Sequence, residues 1–345
     1  MELRRESRQT KITRRKFVRL SAATALVAAN LPIATRIADA ATLSPKKVGG
    51  LTTNANFYVT SYGGTPRLDA NSWRLKISGL VENPLELSYA DIRKLPPHRE
   101  ELTLECISNP PDGDAIGNAQ WVGARLKPIL DRARVNPEAK FVVMRAADRY
   151  FTGAALEEIM REENFLPYLM NDLPLPIEHG YPVRIFIPGK YGMKQPKWIT
   201  EIEFVPAPVR GYWEQRGWSR TAWRKVNSGF FSPRPSGGVL SLFGGTVDVH
   251  GVTDFFGWAL AGPSGIKRVE VSVDDGASWR DADLIENRSP YIWTVWKYRF
   301  MPKQRGTRVI RVRATDGNGA SQLPEDHQAG EGLSSQARMT LNIIG

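Results

Sequence analysis

The 345-residue chain has a single cysteine, Cys106. One thiol excludes an intramolecular disulfide framework and any zinc site built from several cysteines. Only four histidines occur, His98, His179, His250 and His327, and they lie too far apart for a local His-x-x-x-His metal pair. No apolar run reaches the roughly 18 residues of a membrane span. Low-complexity tracts and internal repeats are missing, and 41% hydrophobic with 24% charged residues is the composition of a folded globular protein. Acid is the scarcer charge, and the net charge is +11. Residues 1–40 hold nine Lys/Arg against three Asp/Glu, net +6, leaving +5 for the rest. The remainder has no basic tract with interleaved aromatics, so nucleic-acid binding is not indicated.

Residues 1–40 have the layout of a targeting segment. A basic stretch ends in Thr13-Arg14-Arg15-Lys16-Phe17, an Ala-rich apolar stretch follows from Leu20 to Ala34, and Ala38-Asp39-Ala40 is a small-x-small cleavage site. The paired arginines resemble a twin-arginine signal. They lead us to expect an exported, periplasmic protein that acquires a complex cofactor before leaving the cell.

The remaining chain divides into 41–230 and 231–345. In the first part, strand patterns over Trp73–Gly79, Leu102–Cys106, Phe141–Arg145, Val183–Pro188 and Ile199–Val205 alternate with short helices over Ser88–Leu95, Leu126–Arg132 and Ala154–Glu163. That order predicts an α+β fold rather than a βαβ series. Helix signals vanish in the second part. Short β-rich runs over 245–252, 266–273, 291–300, 307–315 and 337–343 predict an immunoglobulin-like sandwich, with a hairpin turn at Asp274-Asp275-Gly276 and core positions at Trp73 and Trp279. Pro233-Arg234-Pro235-Ser236-Gly237-Gly238 reads as the hinge.

Two features carry chemistry. Cys106 ends an apolar strand just before Asn109-Pro110-Pro111-Asp112-Gly113, where a thiolate is placed to bind a soft metal or to attack a carbonyl. A lone cysteine is also often an inert small hydrophobe. The run from His179 to Ile199 gathers His179, Arg184, Lys190, Lys194 and Lys197 around Gly-containing turns, which suits either an anion-binding loop or a solvated basic loop.

As an ordered set, these and other segments resemble the sulfite oxidase family of molybdenum enzymes. The segments are Asn56-Phe57-Tyr58-Val59, Thr103-Leu104-Glu105-Cys106, Gly117 to Gly123 with Trp121, Met170 to Pro176, His179 to Arg184, Tyr191 to Lys194, and Lys197-Trp198. The resemblance implies a sulfite-oxidase-like molybdopterin-binding domain followed by an immunoglobulin-like dimerisation domain. It makes Cys106 the thiolate on molybdenum, sets Trp121 at the active site, and gives Phe57, Tyr58, Asp148, His179, Arg184, Lys194 and Lys197 to the molybdopterin. It also implies oxo transfer on a small substrate, a separate electron carrier such as a c-type cytochrome, and a homodimer.

The family's substrate arginines are not all present. Thr60 stands at one of their positions, Ser108-Asn109-Pro110-Pro111 lacks the arginine pair, and Thr294 replaces another. Arg216, Arg220 and Arg224 lie nearby in sequence as substitutes. The expected substrate is therefore something other than sulfite, with true sulfite oxidation as the alternative. A non-catalytic exported binding module and a cysteine hydrolase using His179 as base are the readings from other classes. The segment Gly211–Trp218 would line a substrate funnel or pack the two domains together.

Overall fold

The computed structural model describes residues 49–232 and 245–345; the leader expected over 1–40 and the hinge expected at Pro233–Gly238 lie outside the described residues. Alternating burial builds the first strand, β1 (Arg74–Gly79): Leu75 and Ile77 face the core while Arg74 and Lys76 face water. β2 (Leu85–Ser88) returns antiparallel. Ser88 then opens α1 (Tyr89–Lys94): its Oγ accepts from the Asp91 amide at 3.1 Å, and the Asp91 carboxylate accepts from the Ser88 amide at 3.0 Å. β3 (Pro97–Glu105) and β4 (Ile116–Arg125) form a long hairpin, followed by α2 (Lys127–Ala133), β5 (Phe141–Ala146), β6 (Phe151–Ala155), α3 (Leu156–Ile159), β7 (Phe165–Met170), β8 (Leu173–Pro174) and β9 (Ile199–Val205).

These strands make two sheets. One has the order β2-β1-β9-β5-β6 and is parallel only between β1 and β9; the other, β3-β4-β7-β8, is antiparallel throughout. Leu75, Ile77, Ile92, Ile129, Val142 and Ile202 share the main core. A second cluster, around Leu102, Leu104, Trp121, Phe165 and Phe186, backs the antiparallel sheet.

The rest of the chain is all β. It comprises β10 (Asn227–Ser232), β11 (Gly245–Asp248), β12 (Thr253–Leu260), β13 (Ile266–Ser272), β14 (Arg280–Asp281), β15 (Asp283–Glu286), β16 (Thr294–Phe300), β17 (Gly306–Asp316) and β18 (Ala337–Ile344). Two sheets, β10-β12-β16-β15 and β11-β18-β17-β13-β14, enclose a core of Phe230, Phe255, Trp296, Val271, Val312 and Leu341. Among the described residues no helix is long and apolar enough to cross a membrane.

Several expectations need correction. β10 begins at Asn227 and pairs with β12, so the second unit starts before the expected boundary at 230. Ala154 is in the β5–β6 ladder, so no helix begins there; α3 is a single turn, closed by Asn164 Nδ2, which donates to the Glu158 and Ile159 carbonyls. Val183–Pro188 is not a strand. The amides of Arg184, Ile185 and Phe186 bond Pro167, Pro196 and Phe165 in turn, so no single ladder forms. Trp279 is half-buried beneath the Arg313 guanidinium rather than in the core. The turn at Asp275-Gly276 does use left-handed backbone, with φ of 57° and 93°.

Gly257 of β12 lies opposite Trp296, and a Cβ there would come within 2.2 Å of the indole and 2.1 Å of the Gly229 carbonyl. Gly257→Ala is expected to cost about 1–3 kcal/mol by overpacking, read as a lower denaturation midpoint.

Candidate active site

The end of β3 is the best-anchored point near the cleft. Glu105, its last residue, is fully buried. Its Oε1 accepts from Asn109 Nδ2 at 3.1 Å and from Asn227 Nδ2 at 2.9 Å. Arg224, also buried, brings its Nε to 3.8 Å from Oε2 and donates from Nη2 to the Thr103 carbonyl. Burial pushes the Glu105 carboxyl pKa up, and Arg224 and the two amides oppose it. Asn227 opens the sandwich, so the second unit grips the strand that delivers Cys106. Further ties run alongside: the Trp293 amide donates to Thr103 Oγ1 at 2.9 Å, and Arg288 makes a two-point ion pair with Glu101.

Cys106 opens onto a cleft that is partly continuous with solvent. Its thiol lies 3.1 Å from Ser108 Oγ and 4.0 Å from Thr60 Oγ1. One wall is cationic and carries Phe57, Tyr58, His179, Arg184 and Lys197. Arg184 is only 3% exposed. Its Nη1 and Nη2 donate to the His179 and Gln195 carbonyls, while its Nε has no hydrogen-bond partner. Burial lowers its pKa to about 10, which leaves it a cation at neutral pH.

Lys197 Nζ donates to the Thr60 and Glu178 carbonyls, and burial with the neighbouring Arg184 lowers its pKa to about 7. Burial and then Arg184 push His179 down to about 4, so its imidazole is neutral. His179 Nε2 lies 3.2 Å from the Asn54 carbonyl, an acceptor only, so Nε2 carries the proton. The carboxyl on the lining is Asp148, raised by burial.

A further group on the lining is aromatic and apolar and carries no charge. Tyr62, Tyr150, Trp213 and Trp218 form it with Ile107 and Met193. Trp213 and Trp218 stand 6.2 Å apart and Tyr62 and Tyr150 6.1 Å apart. Trp213 and Trp218 of the Gly211–Trp218 segment therefore line the cleft, and the amide of its neighbour Ser219 donates to the Gly330 carbonyl from the sandwich.

Two residues expected at the site are elsewhere. Lys194 leaves the cleft, is buried, and donates to the Gly153 carbonyl and pairs with Glu214. Trp121 is 0% exposed, donates to the Leu102 carbonyl and packs on Phe57 and Phe186 one layer behind the lining. Arg216 stacks over Tyr212 and Arg224 faces Glu105; neither is on the lining, nor is Arg220. His179 is tied through Nε2 to the Asn54 carbonyl, and the Cys106 thiol lies beside Ser108 and Thr60 hydroxyls rather than the imidazole, so the thiol–base pair of a cysteine hydrolase is not formed. Thr60, placed by the sequence at a substrate-arginine position, is on the lining, and Ser61, Tyr62, Tyr150 and Gln195 are lining residues that the sequence reading did not assign to the site.

Residues 62–213 match the model of the oxidoreductase molybdopterin binding domain, and residues 226–330 match the Mo-co oxidoreductase dimerisation domain. Over 164 residues the chain is 31% identical to an uncharacterized oxidoreductase, YuiH, of Bacillus subtilis, covering 47% of this chain and 81% of that protein. The chain belongs to the sulfite oxidase family of molybdopterin oxidoreductases. The mitochondrial sulfite oxidase of Mus musculus is 29% identical over 310 residues, covering 78% of this chain and 56% of that protein. The sulfite oxidase of Arabidopsis thaliana is 29% identical over 267 residues, covering 66% and 68%. The chain thus spans about half the length of its mouse relative. The sulfane dehydrogenase SoxCD of Paracoccus pantotrophus shares the fold, with a TM-score of 0.68 at 23% identity over 86% of this chain and 84% of that one. As in this family, an α+β molybdopterin-binding domain precedes a β-rich dimerisation domain.

Lys194 and Lys197 are predicted to separate cleanly. Affinity of the cofactor-free protein for sulfate, whose own charge is constant over this range, should fall as pH rises through about 7, because Lys197 loses its proton there while Arg184 keeps its own. Lys197→Met should remove that inflection. Lys194→Met should keep it but lower stability by about 3–5 kcal/mol, because Glu214 is left buried without its cation. Calorimetric titration across pH, with denaturation midpoints, checks both.

Proposed function

We propose that the protein is an exported molybdenum-dependent oxidoreductase that adds an oxygen atom to a small sulfur oxyanion, with sulfite as first substrate, and passes electrons to a separate carrier. The observation that carries it is the juxtaposition of the Cys106 thiol with Arg184 and Lys197 on the lining of one cleft. The residues fit the group. Among the described residues no three His, Cys, Asp or Glu side chains gather, so a metal here would draw most of its ligands from the pterin dithiolene, with Cys106 as protein thiolate. The partnerless Nε of buried Arg184, Lys197, and neutral His179 would hold the pterin and its phosphate, with Phe57 and Tyr58 beside them.

When bound, the cofactor supplies two-electron oxygen-atom transfer; the protein supplies its position and surroundings. Arg184 and Lys197 attract anions. The half-buried Tyr58 phenol, pushed well above its usual pKa by loss of solvation and by the nearby Cys106, stays protonated. Thr60, Pro110-Pro111 and Thr294 point away from sulfite, but relatives named sulfite oxidases in animals and a plant favour it. Homodimerisation through the sandwich and delivery of electrons to a c-type cytochrome belong to the same proposal, as does the twin-arginine route.

Protein exported from a host with an intact pterin pathway should contain about one molybdenum per chain and reduce a one-electron acceptor when given sulfite. Arg184→Met, which removes the buried guanidinium from the cationic wall, should lose most of the metal. A metal-free wild type, or a sulfite rate equal to the enzyme-free control, contradicts the proposal.

A further inference from the structure

We infer that the cleft also takes organic sulfinates, R–SO2⁻, seating an apolar or aromatic R against the wall formed by Tyr62, Tyr150, Trp213, Trp218 and Ile107. The inference rests on the oxo-transfer reading above and specifies the substrate class of that same site.

Charge is the first argument. Sulfite can carry two negative charges, a sulfinate one. The cations on the lining are Arg184 and Lys197, and both belong to the wall assigned to the pterin. The aromatic group of the lining adds none, and Asp148 brings a carboxyl. A singly charged anion therefore meets a better balance than a doubly charged one.

Shape is the second. Sulfite has no apolar surface, yet the wall beyond Cys106 is built from four rings. Ile107 directly follows the thiol and packs in one cluster with Met193 and Trp218, with Trp213 against it. Trp213 and Tyr62 remain half-buried, so part of each ring is available to a ligand. An aromatic R stacked there would bury surface that sulfite leaves wet.

The chemistry is balanced. Like sulfite, a sulfinate keeps a lone pair on sulfur. The reaction is R–SO2⁻ + H2O → R–SO3⁻ + 2H⁺ + 2e⁻. One S–O bond forms, no bond to sulfur breaks, sulfur is oxidised by two electrons, and a one-electron acceptor takes them in two turns.

The test uses the molybdenum-loaded protein with sulfite, methanesulfinate and benzenesulfinate, plus titration with the unreactive product analogue benzenesulfonate. The expected kcat/KM for benzenesulfinate exceeds that for methanesulfinate by about tenfold. Trp213→Ala, and separately Tyr62→Ala, should lower it by about tenfold and weaken benzenesulfonate binding likewise, with sulfite changed less than about twofold. Turnover of sulfite with both sulfinates at background overturns this inference and leaves the proposed function standing. So does an equal loss for sulfite and benzenesulfinate in both variants. Inertness toward all three in metal-loaded enzyme overturns both.

Discussion

The site depends on one buried carboxylate. Glu105 lies within the protein, gripped by Asn109 from its own loop and Asn227 from the first strand of the sandwich, with Arg224 opposite. A carboxylate removed from water is costly unless each oxygen is matched. Oε1 is matched by amides from both units, while Oε2 has the Arg224 guanidinium 3.8 Å away and no hydrogen bond. The interface between the sandwich and the catalytic unit is thus also the clamp on the residue before Cys106. A sandwich that served only for assembly would need no such connection to β3.

Around that clamp the cleft separates charge from apolar surface. The cationic wall is held by backbone carbonyls, which orient Arg184 and Lys197 without neutralising them. Lys194, three residues from Lys197, has a carboxylate partner and no role on the lining. A carbonyl leaves positive charge free to meet an anion, and a buried carboxylate consumes it. That distinction sorts the lysines of the loop into anion holders and structural pairs. The aromatic wall offers no charge and so contributes shape.

Much of this is visible in the sequence because the signals are local. Alternation in Trp73–Gly79 and the Ser88/Asp91 cap pair specify β1 and α1 directly. The order of Cys106, His179, Arg184 and Lys197 along the chain resembles a family whose cleft is assembled from those segments. What is not visible depends on distant partners. β12 reads Thr253-Asp254-Phe255-Phe256-Gly257-Trp258-Ala259-Leu260; burial on both faces erases its alternation. β4 hides behind two glycines, of which Gly123 lets the Leu166 backbone approach closely. Trp121 resembles an active-site residue by position, yet it is packed behind the lining. Lys194 cannot be told from Lys197 until Glu214 is seen beside it. Tyr62, Tyr150, Trp213 and Trp218 come from three separate stretches, and only folding makes them one wall.

The most direct test is the sulfur count around molybdenum in the loaded protein, by X-ray absorption on wild type and Cys106→Ser. The account predicts one sulfur fewer in the variant, with the dithiolene pair retained. An identical sulfur shell in the two proteins would contradict it, since Cys106 would then be a neighbour of the metal rather than its ligand.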